Sequence, residues 1–209
     1  MFASMKIKIF IFILVILYAG HPEHAFAKEE VGAKNKNIYL LSRSMKIGNE
    51  PVKDAIFSPD DQHAVVLSGS SSLEIYRTQS GKRERIITSH EHNALSLLLH
   101  TAGKLAITGG KDDTVRIWET DQTTAQAVLR GHLSAVSVLA LNPGGSILAS
   151  GSLDGTVIFW DIKEKKLLKS SKVIGKGSVK SLAFHPKGNI LAIGGEDGSL
   201  QFRDITEMK

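Results

Sequence analysis

Apolar residues along this chain come in short runs rich in Val, Leu, Ile and Phe, cut at regular intervals by polar turn residues. Ala135 to Leu141 is followed by Asn142-Pro143-Gly144-Gly145, then by Ile147-Leu148-Ala149-Ser150, then by Leu153-Asp154-Gly155, then by Thr156 to Asp161. Runs of that length between Pro-Gly and Asp-Gly punctuation predict successive antiparallel strands. Asp154-Gly155 suits a tight hairpin, because Gly accepts a positive φ and Asp tolerates one. Four stretches repeat one another: Ser72 to Arg77, Thr114 to Glu119, Thr156 to Asp161 and Ser199 to Asp204. Their fifth residues, Tyr76, Trp118, Trp160 and Arg203, stand 42, 42 and 43 residues apart. A strand-rich period of about 40–45 residues marks the blades of a propeller. The fold class is all-β, because each unit can bury its two faces only against its neighbours.

The other units carry the same landmarks. Ser58-Pro59-Asp60-Asp61, His100-Thr101-Ala102-Gly103 and His185-Pro186-Lys187-Gly188 fill the turn after the first strand of their units. Gly69-Ser70, Gly109-Gly110 and Gly194-Gly195 close the second. The blades are predicted at about 50–88, 91–129, 133–174 and 176–209. An extra strand is predicted at 38–47, ahead of the first blade, and the outer strands of the first three blades at 83–88, 125–129 and 166–174.

Gly131-His132, some two dozen residues of strand and turn, and then Trp160-Asp161 resemble the glycine-histidine to tryptophan-aspartate frame of the WD40 repeat family. The resemblance spans roughly residues 38–209 and weakens at both ends. It implies that each blade is locked by a hydrogen-bonded set of His, Ser or Thr, Asp and Trp. In the third blade this set would be His132, Ser150, Asp154 and Trp160; in the second, His90, Thr108, Asp112 and Trp118. The fourth blade keeps Asp197 but has Arg203 in the Trp position and no His at Gly175-Lys176-Gly177. The first has Tyr76 for Trp and Ser70 for Asp, so substitution of Tyr76 is expected to cost less in polar interactions than substitution within the His132, Asp154 and Trp160 set. The family closes its ring by adding an N-terminal outer strand to the last blade, a role that 38–47 would fill in a complete four-blade chain. Family rings close with about seven blades. Four blades therefore imply an open arc, a self-closed ring, or half of an eight-bladed homodimer with exchanged 38–47 strands.

The first 27 residues are of a different kind. Lys6 and Lys8 precede the apolar run from Ile9 to Ala19, and Ala25-Phe26-Ala27 supplies a small-x-small cleavage site at Ala25 and Ala27. This arrangement predicts a secretory signal peptide over 1–27, a linker over 28–37 and a periplasmic or secreted protein beginning at Lys28. The alternative is a membrane anchor at residues 9–19, although that run is well short of the ~20 apolar residues a spanning helix needs.

With no cysteine, the chain has neither disulfides nor thiolate metal ligands despite its expected export. His132, Ser150 and Asp154 are the residue types of a hydrolase triad, but a similar set recurs with the blade period, which is the behaviour of a structural lock. No catalytic residue is assigned. His90, His92 and His100 raise the question of a metal, yet His90 belongs to the repeat frame and no carboxylate stands opposite; no metal and no cofactor are expected. Lys163, Lys165, Lys166, Lys169, Lys172, Lys176 and Lys180 gather in 18 residues of a chain of net charge +5. They form a candidate patch for an anionic partner, or alternatively the protected edge of an outer strand. No aromatics interleave them, so nucleic acid is not expected. The function read from these features is a non-catalytic, exported protein–protein interaction scaffold, with loops at one mouth of the ring meeting protein partners. The alternative is a propeller enzyme or ligand-binding propeller with its site in the central channel.

Overall fold

Short alternating runs become fifteen antiparallel strands in the computed structural model, which describes Ser44 and residues 50–69 and 71–206. The leader at 1–27, the linker at 28–37, Ser70 and the strand expected at 38–47 (Ser44 aside) lie outside the described residues. The first sheet is β1 (Val52–Phe57), β2 (His63–Ser68), β3 (Ser72–Arg77) and β4 (Arg83–Thr88), paired in chain order. The second is β5 (Ala94–Leu99), β6 (Leu105–Gly110), β7 (Thr114–Glu119) and β8 (Ala125–Arg130), in the same order. The third is β9 (Val136–Leu141), β10 (Ile147–Ser152), β11 (Thr156–Asp161) and β12 (Lys166–Lys172). The fourth has three strands, β13 (Val179–Phe184), β14 (Ile190–Gly195) and β15 (Leu200–Asp204). All belong to the unit Glu50–Lys209. Among the described residues no helix is long and apolar enough to cross a membrane.

The register repeats from sheet to sheet. Ala64 faces Tyr76, Ala106 faces Trp118, Leu148 faces Trp160 and Leu191 faces Arg203. In the first three sheets the outer strand shifts register beside that aromatic, after Ile75, Ile117 and Phe159. Such a bulge twists the outer strand locally. It sits in the same place each time because the unit is the same each time.

Each sheet has two apolar faces, and the core lies between successive sheets. Leu73 and Ile75 of sheet 1 pack with Leu97, Leu99 and Trp118 of sheet 2. Val115 and Ile117 of sheet 2 pack with Leu148, Ile158 and Trp160 of sheet 3. Val157 and Phe159 of sheet 3 pack with Leu191 and Ile193 of sheet 4. We call the first face of each pair trailing and the second leading. Glycine permits the closest approach: a Cβ on Gly109 would lie 2.7 Å from Val136 of the next sheet, and one on Gly151 would lie 2.6 Å from Val179. The hairpin at Asp154-Gly155 puts Gly155 at φ 76°, whereas the second sheet's turn places Asp113 at φ 63°.

Candidate functional site

The candidate residues of sheet 2 meet in one chain of hydrogen bonds. Trp118 Nε1 donates to Thr108 Oγ1 at 2.9 Å, and that oxygen is 2.8 Å from His90 Nε2. His90 Nδ1 lies 2.8 Å from Asp112 Oδ1. Indole N–H can only donate, so the threonine proton goes on to Nε2 and the imidazole hydrogen sits on Nδ1, aimed at the carboxylate. Asp112 also accepts from Thr114 Oγ1 at 2.7 Å and from Arg116 at 2.9 Å.

Sheet 3 repeats the scheme with one relay added. Trp160 Nε1 donates to Ser150 Oγ at 2.7 Å, and Ser150 Oγ lies 2.7 Å from His132 Nε2. His132 Nδ1 is 2.9 Å from Thr156 Oγ1 and 3.6 Å from Asp154. Thr156 passes its proton to Asp154 at 2.5 Å. The second oxygen of Asp154 accepts the backbone N–H of Leu133 at 2.8 Å, tying the loop before β9 to the hairpin after β10.

Burial sets the charge state of both networks. It pushes the His90 and His132 imidazoles below their ordinary 6.5, and Asp112 and Asp154 oppose that push without cancelling it. Burial alone would raise the two carboxyls. Bonds from Thr114 and His90 outweigh it at Asp112, and bonds from Thr156 and the Leu133 N–H outweigh it at Asp154; both carboxyls sit below their ordinary value. Each network is therefore a neutral imidazole held against a carboxylate.

The end sheets differ. In sheet 4 the register puts buried Ile193 where Thr108 and Ser150 stand, and exposed Arg203 where the tryptophans stand. Asp197 is exposed and, among the described residues, accepts the N–H and hydroxyl of Ser199, at 3.0 and 2.6 Å. It caps its own hairpin and joins no larger lock. In sheet 1 the register places Val66 in the hydroxyl position and Glu74 opposite it. Glu74 is buried and accepts from Ser68 Oγ at 2.5 Å, Tyr76 hydroxyl at 2.7 Å and Arg83 at 2.9 Å. Burial would raise its carboxyl, yet these three donors hold it below the usual range. Burial and the same carboxylate push Tyr76 up to about 12. Tyr76 thus keeps a buried polar partner although its sheet lacks the repeat aspartate: a glutamate two residues earlier supplies the acceptor. In the sequence Glu74 is a lone acid between Leu73 and Ile75, with no acid at its counterparts Arg116 and Ile158.

The remaining candidates separate. His100 is 3.0 Å from the Gly145 carbonyl and accepts the Ala102 N–H at 3.1 Å. No group of three metal-ligating side chains occurs among the described residues. Lys172 donates to the Asp154 carbonyl and Lys180 pairs with Glu196 at 3.3 Å. Lys163, Lys165, Lys166, Lys169 and Lys176 are exposed at or near the edge strand β12 and the loop that follows it. A cleft of about 510 Å³ lies between sheets 1 and 2, floored by Val65 and Ile75 and rimmed by His63, Glu84, Arg85 and Lys104.

These networks, register and stacking coincide with the comparisons to known proteins. The solved structure of U3-55K superposes with a TM-score of 0.70 at 21% identity, over 78% of this chain and 52% of that one. The chain thus spans about half the length of that protein, and the likeness is one of fold. The family described as WD domain, G-beta repeat matches residues 81–119, 123–161 and 168–204. Those matches take in more than half of the sequence, and the chain belongs to the WD40 repeat family.

Proposed function

We propose that this chain is a non-catalytic, exported scaffold whose partners are proteins. WD40 propellers generally bind protein partners. The observation that carries the reading is the fate of the reactive residue types. His90, Asp112, His132, Ser150 and Asp154 are spent in buried networks that recur with the repeat, bonded to Trp118 and Trp160. A nucleophile needs a free oxygen facing substrate. Ser150 Oγ is fully buried between an indole and an imidazole.

The same networks brace the loops at one mouth of the sheet stack. Leu133 is 87% exposed while its N–H is held by Asp154, so a rigid frame presents an apolar side chain to solvent. Rigid, exposed loop residues of this kind serve recognition. Partners are proteins at this mouth, a second copy of the chain among them. The exposed lysines around β12 suit an acidic protein surface. Export rests on Lys6, Lys8, the run 9–19 and the Ala25-Phe26-Ala27 site.

Affinity capture on the tagged chain from the exported fraction of the source organism tests the scaffold. A protein retained by the parent and lost with Leu133→Asp, at unchanged melting temperature, is the expected result. Retention of nothing overturns the reading. N-terminal sequencing of the recovered protein is expected to begin at Lys28; an intact Met1 in a membrane pellet replaces export with tethering.

A further inference from the structure

The residue two places after the tryptophan position closes the space between sheets twice, and a third time it is replaced. Ile162 follows Trp160 by two, and Ile205 follows Arg203 by two. Their amides donate to the carbonyls of Ser146 and Asn189, each in its own sheet, at 3.0 and 2.9 Å. Thr120 stands in the same place in sheet 2, its amide on the Lys104 carbonyl at 3.0 Å. Ile162 is 6% exposed and shares a core cluster with Ile107 and Ile117 of the preceding sheet. Ile205 is 2% exposed and shares one with Ala149 and Phe159. Thr120 has a hydroxyl where isoleucine has its ethyl arm. It is only half-buried, and that hydroxyl turns to the Lys104 carbonyl at 3.4 Å.

The cleft of about 510 Å³ lies at this spot, with Thr120 in its lining. Its floor, Val65 and Ile75, is the register counterpart of Ile107 with Ile117 and of Ala149 with Phe159. Exposed Pro59 and Ala102 add apolar walls. Charge sets a second requirement. Glu84 on the rim is paired with Arg77 and His63, and Asp60 is held by the Ser58 hydroxyl and the Gln62 amide. Arg85 Nη1 reaches across to the Thr120 carbonyl at 2.6 Å. Among the described residues neither Arg85 nor the exposed Lys104 has a carboxylate partner, and the one unpaired carboxylate of the rim is Asp121.

We infer that this cleft binds an extended segment of a partner protein through one aliphatic side chain and an acidic side chain next to it. The aliphatic group takes, between sheets 1 and 2, the place that Ile162 and Ile205 take between the other sheets. The carboxylate meets Arg85 and Lys104. The volume falls within the range of about 300–1,000 Å³ usual for pockets that hold small ligands. The hairpins that frame the cleft join β1 to β2, β5 to β6 and β7 to β8. Successive turns of an antiparallel sheet alternate between its ends, so these lie opposite the loop that carries Leu133. The inference rests on the reading that partners are proteins, and adds a second contact and the kind of sequence it selects.

Titration of the isotope-labelled full chain with the peptide acetyl-Gly-Ile-Asp-Gly-amide, followed by amide NMR, tests it. Saturable shifts at Ala102, Gly103, Lys104 and Thr120 are expected. Thr120→Ile fills the cleft from within, and is expected to raise the melting temperature and abolish the shifts. Lys104→Glu, at an exposed position, is expected to weaken binding about tenfold at unchanged melting temperature. Alanine for the peptide's isoleucine, or asparagine for its aspartate, is expected to weaken binding by about tenfold or more. A parent with no saturable shift overturns the inference, as does a folded Thr120→Ile that binds like the parent. Equal binding of the aspartate and asparagine peptides overturns it too. Leu133→Asp is expected to bind the peptide as the parent does, because it lies at the other end. Capture of a partner at Leu133 without peptide binding sinks this inference alone. Peptide binding by a chain that captures nothing at Leu133 sinks only the scaffold reading at that mouth.

Discussion

Sheets 2 and 3 differ from sheets 1 and 4 in how they hold the centre of the blade. The middle pair spend a tryptophan, a hydroxyl, an imidazole and an aspartate on one continuous network, closed from the hairpin loop to the third strand. Sheet 1 replaces that network with a buried carboxylate shared by Ser68, Tyr76 and Arg83. Sheet 4 abandons it: Ile193 fills the hydroxyl position with hydrocarbon and Arg203 turns into solvent. A sheet covered on both faces has a dry interior, where polar groups must be fully paired. Arg203 escapes that requirement because β15 is an edge strand among the described residues, with no outer strand beside it, and its guanidinium reaches solvent and Gln201. The lock therefore goes with a four-stranded sheet whose third strand is covered by an outer one, and the same register position can carry Trp, Tyr or Arg according to that cover.

The sharpest way to break this comparison is to make the same change at equivalent positions. Trp160→Ala removes a side chain 2% exposed and is expected to cost about 3–5 kcal/mol. Arg203→Ala, at the matching position of sheet 4, is expected to stay within about 0.5 kcal/mol. Urea unfolding followed by tryptophan fluorescence and circular dichroism measures both. Equal losses would mean that Arg203 holds its sheet as the tryptophans hold theirs and would erase the difference between the two positions.

A smaller effect tests whether sheet 1 is locked as firmly as sheet 3. Asp154→Ala and His132→Ala each strand buried polar atoms and are expected to cost roughly 1–3 kcal/mol. Glu74→Ala leaves Ser68 and the Tyr76 hydroxyl without their acceptor and belongs in the same range. The double cycle of Glu74→Ala with Tyr76→Phe is expected to be non-additive by about 0.5–3 kcal/mol, since the two side chains share one bond. Additive losses in that cycle would reduce sheet 1 to a sheet with no lock.

What could be read in advance divides along the same line. Strand positions, sheet order and the His–Ser/Thr–Trp geometry of the middle sheets were legible because they repeat, and a repeat lets one unit explain another. The role of Thr114 and Thr156 as donors to Asp112 and Asp154 was visible in principle, two residues past each aspartate. Glu74 was not anticipated, because a substitute made of different residue types leaves no period behind. Its position depends on register: Val66 pairs with Glu74 as Thr108 pairs with Arg116, so Val66, not Ser68, stands at the level of Thr108. The exposure of one face of sheet 4 was equally hidden. Leu200 and Phe202 have the residue types of core positions, and only their exposure separates them from Val157 and Phe159.

The smallest effect separates the two kinds of lock by pH. His90 and His132 titrate below 6.5 in the fold, so the unfolded chain takes up protons first as the pH falls. Their contribution to stability is complete above 6.5 and is lost as the pH falls from there through the depressed folded values. Glu74 is held below its ordinary 4.5, so its contribution survives that first window and is lost only as the pH falls below 4.5. Tyr76 runs the other way. Its hydroxyl is raised from 10.0 to about 12, so its contribution is complete below 10 and disappears as the pH rises from 10 to 12. Melting temperatures between pH 6.5 and 4.5 are therefore expected to fall in the parent and to flatten in a His90→Gln, His132→Gln variant. Above pH 10 the parent is expected to weaken more steeply than Tyr76→Phe, which has no phenol to ionise. Amide exchange read strand by strand assigns each loss: β6 and β10 in acid, β2 and β3 in alkali. An acid slope that persists without the two imidazoles would place the proton uptake elsewhere and erase the distinction between the middle sheets and the first.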